Sequence, residues 1–332
     1  MQKFLIIQTA FIGDVVLATA LVEKLHAFYP DASIDFLVRK GNESLLSNNP
    51  FIHTVLIWNK KKDKIKNLLS LISAIRKNKY HTVINLQRYF STGLMTSLSG
   101  ASTKIGFDKN PLAFTFTKKV RHKFDMLEAR HEVLRNNDLI AHLTDETMNR
   151  PTLYPSAADQ AFVSEYKSEP YVTMSPSSVW FTKKYPQEKW VDLINYFEGR
   201  ERIYLLGSID NTPECETIAN RTINKNVAIL SGKLSFLQSA ALMRDANMNF
   251  TNDSAPLHFA SAMNAPITAI FCSTVPAFGY TPLSDISYII ETKVHLKCRP
   301  CGLHGYKDCP LGHFKCGHTI TTSQLLNYLH AN

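Results

Sequence analysis

No run of this sequence approaches the roughly 20 consecutive apolar residues that a membrane-spanning helix needs, which excludes a helical membrane protein. The apolar run Phe4-Leu5-Ile6-Ile7 is too short for a secretory leader and reads as part of a first strand, so a cytoplasmic protein is the expectation. The first turn lacks the GxGxxG spacing of a dinucleotide site, and no cofactor is expected. No RNA- or DNA-binding motif appears, and the basic residues are not interleaved with aromatics that read as exposed. Nucleic acid is therefore not an expected partner.

What is present is the composition of a globular protein. The 332 residues are 45% hydrophobic and 20% charged, enough for about two domains. The net charge is +9, densest in Lys60-Lys61-Lys62-Asp63-Lys64-Ile65-Lys66 and again in Arg76-Lys77-Asn78-Lys79. A solvated helix face accounts for such a run. An anionic membrane surface and an anionic substrate are the functional alternatives.

In chain order, residues 3–9 are almost wholly apolar, as in a strand buried on both faces of a parallel sheet. A turn carrying Gly13 and Asp14 follows, then a helix. Strands at 34–38, 53–57, 82–86 and 104–107 alternate with helices at 43–47 and 64–77. A basic loop and a long helix over 125–143, with His131 and Arg135 on one face, close the first half. Residues 150–155, with two prolines, read as a linker. The alternation then restarts, with strands at 171–175, 202–206, 227–231, 248–252 and 267–271. Helices are expected at 187–197, 213–222, 235–244 and 256–263, and a last one at 321–330 packs back on the first half. The pattern is α/β, with a parallel sheet in each of two Rossmann-like domains, 1–152 and 153–332, whose strand-end edges share a cleft.

The stretch 248–263 combines a buried strand, the elbow Asn252-Asp253-Ser254-Ala255 and a helix opened by Pro256. Asp253 or Ser254 can cap that helix, or the elbow can bind an anion at the strand's carboxyl end.

Four segments resemble glycosyltransferase family 9, the ADP-heptose:lipopolysaccharide heptosyltransferases. They are Gly13-Asp14-Val15-Val16-Leu17-Ala18-Thr19; Lys183-Lys184-Tyr185-Pro186-Gln187-Glu188-Lys189-Trp190; Asn252-Asp253-Ser254-Ala255-Pro256-Leu257-His258-Phe259-Ala260; and a cysteine-rich tail with Cys298, Cys301, Cys309 and Cys316. Together they cover nearly the whole chain in the family's order. The resemblance implies a GT-B architecture, two facing Rossmann-like domains with the acceptor mostly on the first and the nucleotide sugar mostly on the second. It implies inverting, metal-independent transfer of heptose, or a related sugar, from ADP-heptose to the lipopolysaccharide inner core. The absence of an Asp-x-Asp motif agrees with this. One departure is Ala255, where the family has glycine; its methyl group limits how closely a phosphate approaches the backbone.

Inverting transfer needs a base for the acceptor hydroxyl, and by resemblance that base is Asp14. On residue type alone Asp14 is a helix cap, a role that would hold its pKa low. By resemblance Lys183 is the cation that faces the departing diphosphate; otherwise it is a surface lysine. Ser177, Ser178, Asp253, Ser254 and Ala255 are candidate donor contacts. His258 is another, with a core or capping role equally open. Glu214 or Glu216 is placed to accept from ribose hydroxyls, unless they are only an acidic helix start. Thr9, Gly13, Arg88, Lys104 and His131 are candidate acceptor contacts, Arg88 because a guanidinium pairs bidentately with phosphate or carboxylate. The expected partners are thus a nucleotide sugar and a lipid-linked anionic core oligosaccharide, with peripheral contact at the inner membrane's cytoplasmic face. The four tail cysteines, with His304, His313 and His318 as substitutes, are weak candidates for zinc, because only Cys298/Cys301 form a close pair. Cys215 and Cys272 read as buried thiols. Two alternatives stay open, a nucleotide-sugar epimerase on the same fold and a zinc-stapled nucleic-acid-binding module.

Overall fold

The computed structural model describes residues 2–326. The described residues form two compact units, those up to Phe124 with Arg130–Tyr154, and Asp125–Ala129 with those from Pro155 onward.

In the first unit, strands β1 (Lys3–Ile7), β2 (Ser33–Arg39), β3 (Ile52–Trp58), β4 (Thr82–Asn85), β5 (Thr103–Phe107) and β6 (Lys118–Val120) form one sheet. Its order is β3-β2-β1-β4-β5-β6, and every pair is parallel. The helices are α1 (Ile12–Phe28), α2 (Lys64–Asn78), α3 (Phe90–Ser97) and α4 (Glu132–Asn137). The strand order reverses between β1 and β4. There Ile7 stands level with both Leu37 and Asn85, so residues 8–14 emerge beside residues 86–88. Phe4, Leu5, Ile6 and Ile7 are almost fully buried, each contributing about 2 kcal/mol of hydrophobic stabilisation.

The end of the first unit is bound to α1. Thr152 N–H donates to Thr19 Oγ1 at 3.0 Å, and the Tyr154 hydroxyl donates to both Glu23 oxygens at 3.0 Å. The buried Lys24 pairs with Asp145 and with the Thr147 carbonyl.

The second unit repeats the plan with β7 (Tyr171–Ser175), β8 (Arg202–Leu205), β9 (Val227–Ile229), β10 (Met248–Asn252), β11 (Ile267–Phe271) and β12 (Ser287–Glu291), in the order β12-β11-β10-β7-β8-β9. Helices α5 (Ala157–Val163), α6 (Gln187–Tyr196), α7 (Thr212–Arg221), α8 (Phe236–Arg244), α9 (Ala255–Ala262), α10 (Lys315–His318) and α11 (Thr322–Leu325) complete it. Its order reverses between β7 and β10, with Thr251 level with Ser175. Trp190 is 1% exposed and meets Tyr185 edge-on at 5.5 Å, which ties the loop carrying Lys183 to the core.

Several elements differ from the sequence reading. The single helix over 125–143 does not form. Ala129 takes a left-handed φ of 46°, a strained conformation for a residue with a Cβ. Asp125 accepts the Leu127 N–H at 2.8 Å, and His131 caps the short α4 by accepting the Val133 N–H at 3.1 Å. His131 therefore stands at the start of a short helix, one turn before Arg135, whose N–H its carbonyl accepts at 3.0 Å, and not within a long one. The basic loop contains β6, and the helix at 43–47 is one turn of 3-10 helix, Glu43–Leu46. Only part of the last expected helix is described. Leu325 and Leu326 enter the second unit's core, and its continuation lies outside the described residues. No helix among the described residues is long and apolar enough to cross a membrane.

Candidate active site

The carboxyl edge of the first sheet gathers acid and base chemistry. Asp14 is the third residue of α1, not its cap, and its carboxylate reaches back to accept the Phe11 N–H at 3.1 Å. Its pKa rises from 3.8 to about 6. Burial is the main cause and the negative charge of Glu132 the second, while the N–H groups of Phe11 and Asp14 and the Arg39 guanidinium pull downward. The expected depression by a capping role is thus outweighed, and the carboxylate sits in the range suited to general base catalysis at neutral pH.

Four cations stand over this edge, one per strand. Arg39 ends β2, Lys60 follows β3 by two residues, Arg88 follows β4 by three, and Lys109 follows β5 by two. Arg39 lies 4.9 Å from the Phe11 ring, and Lys60 Nζ donates to the Thr9 carbonyl at 2.7 Å. Burial, followed by Arg39 and Lys64, lowers the Lys60 pKa to about 8. Burial, then Arg135, Lys109 and Arg88, pushes His122 down to about 4, against the pull of Asp108. Those three cations therefore share one neighbourhood. Glu132, close enough to perturb Asp14, pairs with Arg135 at 2.6 Å.

Of the expected acceptor residues, Gly13 adjoins Asp14 and Arg88 is exposed at the edge. Thr9 is 1% exposed and its carbonyl is taken by Lys60. Lys104 lies level with Val83 near the start of β5, away from the edge, and His131 caps α4. Arg39, Lys60, Lys109, His122 and Glu132 were not anticipated. A basic residue at or just past each strand end was the available signal for the first three.

The carboxyl edge of the second sheet is organised by Asp253. Its carboxylate accepts Lys183 Nζ at 2.7 Å and the Thr274 hydroxyl at 2.7 Å. Behind it, Asn252 accepts the Tyr185 N–H at 2.9 Å and donates to the Pro176 carbonyl at 2.7 Å, joining the ends of β10 and β7. Helix α9 starts at Ala255, with Ser254 in the capping position and Pro256 second. The expected cap is absent. Asp253 is held by Lys183 and Thr274, and the Ser254 hydroxyl turns 3.4 Å toward the Asn252 carbonyl. No side chain caps the N-terminus of α9, which leaves it open to an anion. His258 lies one turn in, 6% exposed, with its ring 6.4 Å from that of Tyr280.

Ser177 and Lys184 converge on Glu214, at 2.6 and 3.0 Å, so Glu214 is held by protein groups. Ser178 is half-buried beside Ser177, and Glu216 is exposed.

The cysteine-rich segment braces this edge, a role not anticipated. Arg299 donates to the carbonyls of Phe271, Cys272 and Thr274 at 3.1, 2.7 and 2.7 Å and pairs with Glu291 at 2.7 Å. Thr182 and Tyr306 exchange bonds, and Gly305 (φ 79°) fits only as glycine. A Cβ there would lie 2.8 Å from Thr182 Oγ1 and 3.1 Å from Lys183 Cγ. All six cysteines are free thiols. Cys298 Sγ lies 3.9 Å from His313 Nε2, but no group of three or more His, Cys, Asp or Glu among the described residues is placed to hold a metal ion.

Residues 68–306 match the profile of glycosyltransferase family 9 (heptosyltransferase). The chain belongs to that family. It is a glycosyltransferase. Lipopolysaccharide heptosyltransferase 3 of Escherichia coli is 29% identical over 277 residues, 80% of this chain and 82% of that one. The structure of a glycosyl transferase family 9 protein from Veillonella parvula DSM 2008 superposes with a TM-score of 0.86 at 20% identity, covering 99% of this chain and 96% of the other. The E. coli ADP-heptose lps heptosyltransferase II gives a TM-score of 0.81 at 21% identity, over 100% and 98%. The fold of this glycosyltransferase is accordingly of GT-B type, each half a parallel sheet in Rossmann order.

Proposed function

We propose that this enzyme transfers heptose from ADP-heptose to the inner core of lipopolysaccharide, with inversion and without an essential metal. Membership of the heptosyltransferase family and relatives that carry this activity in their names support the reading. The observation that carries it is Asp14, a carboxylate raised to about 6 beside a row of cations.

The first unit binds the acceptor. Its cations hold the anionic groups of the core oligosaccharide while Asp14 takes the proton of the attacking hydroxyl. The acceptor oxygen forms its bond to the anomeric carbon as the bond from that carbon to the diphosphate breaks. ADP leaves with the electron pair. The second unit binds the nucleotide sugar, with Lys183 and the open N-terminus of α9 stabilising the charge on the leaving diphosphate. Asp253 holds Lys183 in place, Ser254, Ala255 and His258 lie at the same turn, Ser177 and Ser178 are further phosphate contacts, and Glu214 is assigned to the ribose hydroxyls.

The acceptor is lipid-linked, so the enzyme works in the cytoplasm at the face of the inner membrane. The family match is to a transferase, which disfavours an epimerase and a nucleic-acid-binding module. The test is incubation with ADP-heptose and a deep-core lipid acceptor. ADP release that depends on the acceptor supports the reading; consumption of nucleotide sugar without acceptor, or no turnover with any nucleotide sugar, overturns it.

A further inference from the structure

Helix α2 opens against its own electrostatics. Its first turn carries Lys64 and Lys66 and no acid, where the helix dipole favours negative charge. Asp63 precedes it in a left-handed conformation (φ 47°), and its side chain caps nothing. The Asn59 side chain fixes the approach by accepting the N–H groups of Lys61 and Lys62 at 3.1 and 3.3 Å. Lys61, Lys62, Lys64 and Lys66 are all exposed.

Among these charges stand two apolar side chains without cover. Ile65 is 73% exposed and Leu69 is 59% exposed. One turn apart, they share a face. On the same side two turns beyond Ile65, Ile72 is packed with Ile75, Leu68 and Leu71 into the first unit's core, so the apolar side of α2 is covered except at Ile65 and Leu69. Arg76 and Lys77, both exposed, extend the basic rim at the far end.

An apolar stripe rimmed by lysine and arginine is how a helix lies in a lipid interface. Each lysine near an anionic leaflet strengthens binding about fivefold. Nucleic acid would draw on the lysines but leave Ile65 and Leu69 unused. The position of Lys60 adds a link to the chemistry. Its amine is bonded to Thr9 at the end of β1, the strand that leads into Asp14. The exposed surface of α2 thus begins at the edge that carries the proposed base.

We propose that residues 61–69 form a membrane-docking element, in which the lysines meet anionic headgroups and Ile65 and Leu69 enter the boundary with the acyl chains. The proposal rests on the acceptor being lipid-linked. Docking there holds the enzyme where the sugar end of such an acceptor reaches Asp14.

The test is co-sedimentation of the full chain with vesicles of phosphatidylglycerol and phosphatidylcholine, against phosphatidylcholine alone, at low and at physiological salt. Wild type should sediment with the anionic vesicles only, less at higher salt. I65S/L69S should lower partitioning about tenfold or more with unchanged melting temperature, and K61Q/K62Q/K64Q/K66Q should remove the salt dependence. I65S/L69S should also slow turnover of vesicle-embedded acceptor and leave turnover of a delipidated, water-soluble acceptor unchanged. Equal binding by wild type and I65S/L69S, or equal binding to both vesicle types, overturns the proposal. So does a wild-type dimer that I65S/L69S converts to monomer, since that assigns the face to a second copy. If vesicle binding behaves as stated but no acceptor yields ADP, the docking element stands and the assigned reaction fails.

Discussion

Lys183 and Asp253 form a 2.7 Å ion pair at the carboxyl edge of the second sheet, and Thr274 holds the same carboxylate at 2.7 Å from the adjoining loop. The amine therefore has a fixed position, from which the contact proposed with the departing diphosphate would be made. Lys183→Ala should lower kcat about 10²- to 10³-fold, the scale for loss of one preorganised charge-stabilising group. Asp253→Asn should lower it less, since the amine remains but is no longer held. Steady-state kinetics with saturating ADP-heptose checks both, and equal losses would mean that Asp253 acts directly.

Asp14→Asn should reduce kcat about 10²- to 10⁴-fold, the usual worth of a general base. Donor affinity should be unchanged when read by titration with ADP. The wild-type kcat/KM should rise through an apparent pKa of about 6, the value burial and Glu132 impose on Asp14. That limb should vanish in the variant.

Stability gives an independent reading of the same residue. Asp14 binds its proton more tightly folded, at about 6, than the ordinary value of 3.8. The unfolded chain therefore loses this proton first, and the contribution of Asp14 to stability falls as pH rises from about 4 to about 6. Asp14→Asn should melt no lower than wild type at pH 7.5, with its relative advantage gone at pH 4. A variant that unfolds at pH 7.5 would show that the bond to Phe11 is the residue's main task.

Gly305→Ala should destabilise by about 1–3 kcal/mol, given its positive φ and the close approach to Thr182 and Lys183. It should also raise the donor KM, because the displaced atoms include Lys183 Cγ. Thermal melts and donor titration separate the two effects.

Glu23 is raised to about 7 by burial, held partly in check by the Tyr154 hydroxyl. Removing that donor in Tyr154→Phe should push Glu23 higher and cost about 1–3 kcal/mol at pH 8, where the carboxylate is ionised and left without its partner. Because a raised carboxyl pKa makes stability fall with rising pH, the loss should shrink below pH 5. Melting curves across that range check it.

Legibility in the sequence followed burial. Strands β7, β10 and β11 have the bounds read from the sequence, because each is a wholly buried run ended by a polar turn. β6 and β12 lie at sheet edges, with charged or exposed positions that mask a strand pattern. The segment 125–143 carried a helical pattern that side-chain bonds within the segment itself replaced. Arg130 reaches Asp138 at 2.5 Å and Arg135 reaches the Arg130 carbonyl at 2.5 Å, with Arg135 only 1% exposed. Asp14, Lys183 and Asp253 could be singled out through the short family-like segments that carry them; by residue type alone Asp14 reads as a helix cap and Lys183 as a surface lysine. Thr274 and Arg299 could not, since their partners are 21 and 25–28 residues away and nothing local marks the contact.

The cations over β3, β2, β4 and β5 have a geometric consequence. Parallel strands lie about 4.8 Å apart, so the row from Lys60 to Lys109 crosses four strand intervals, roughly 19 Å, with Asp14 following the central strand β1. Under the acceptor role proposed for this edge, an oligosaccharide laid along that row would be read as a ruler reads notches, by where its negative groups fall on either side of one fixed mark. The hydroxyl that comes to the mark would then be chosen by its distance from the charges more than by the identity of its own sugar. Moving one phosphate along the acceptor should move the point of attachment with it.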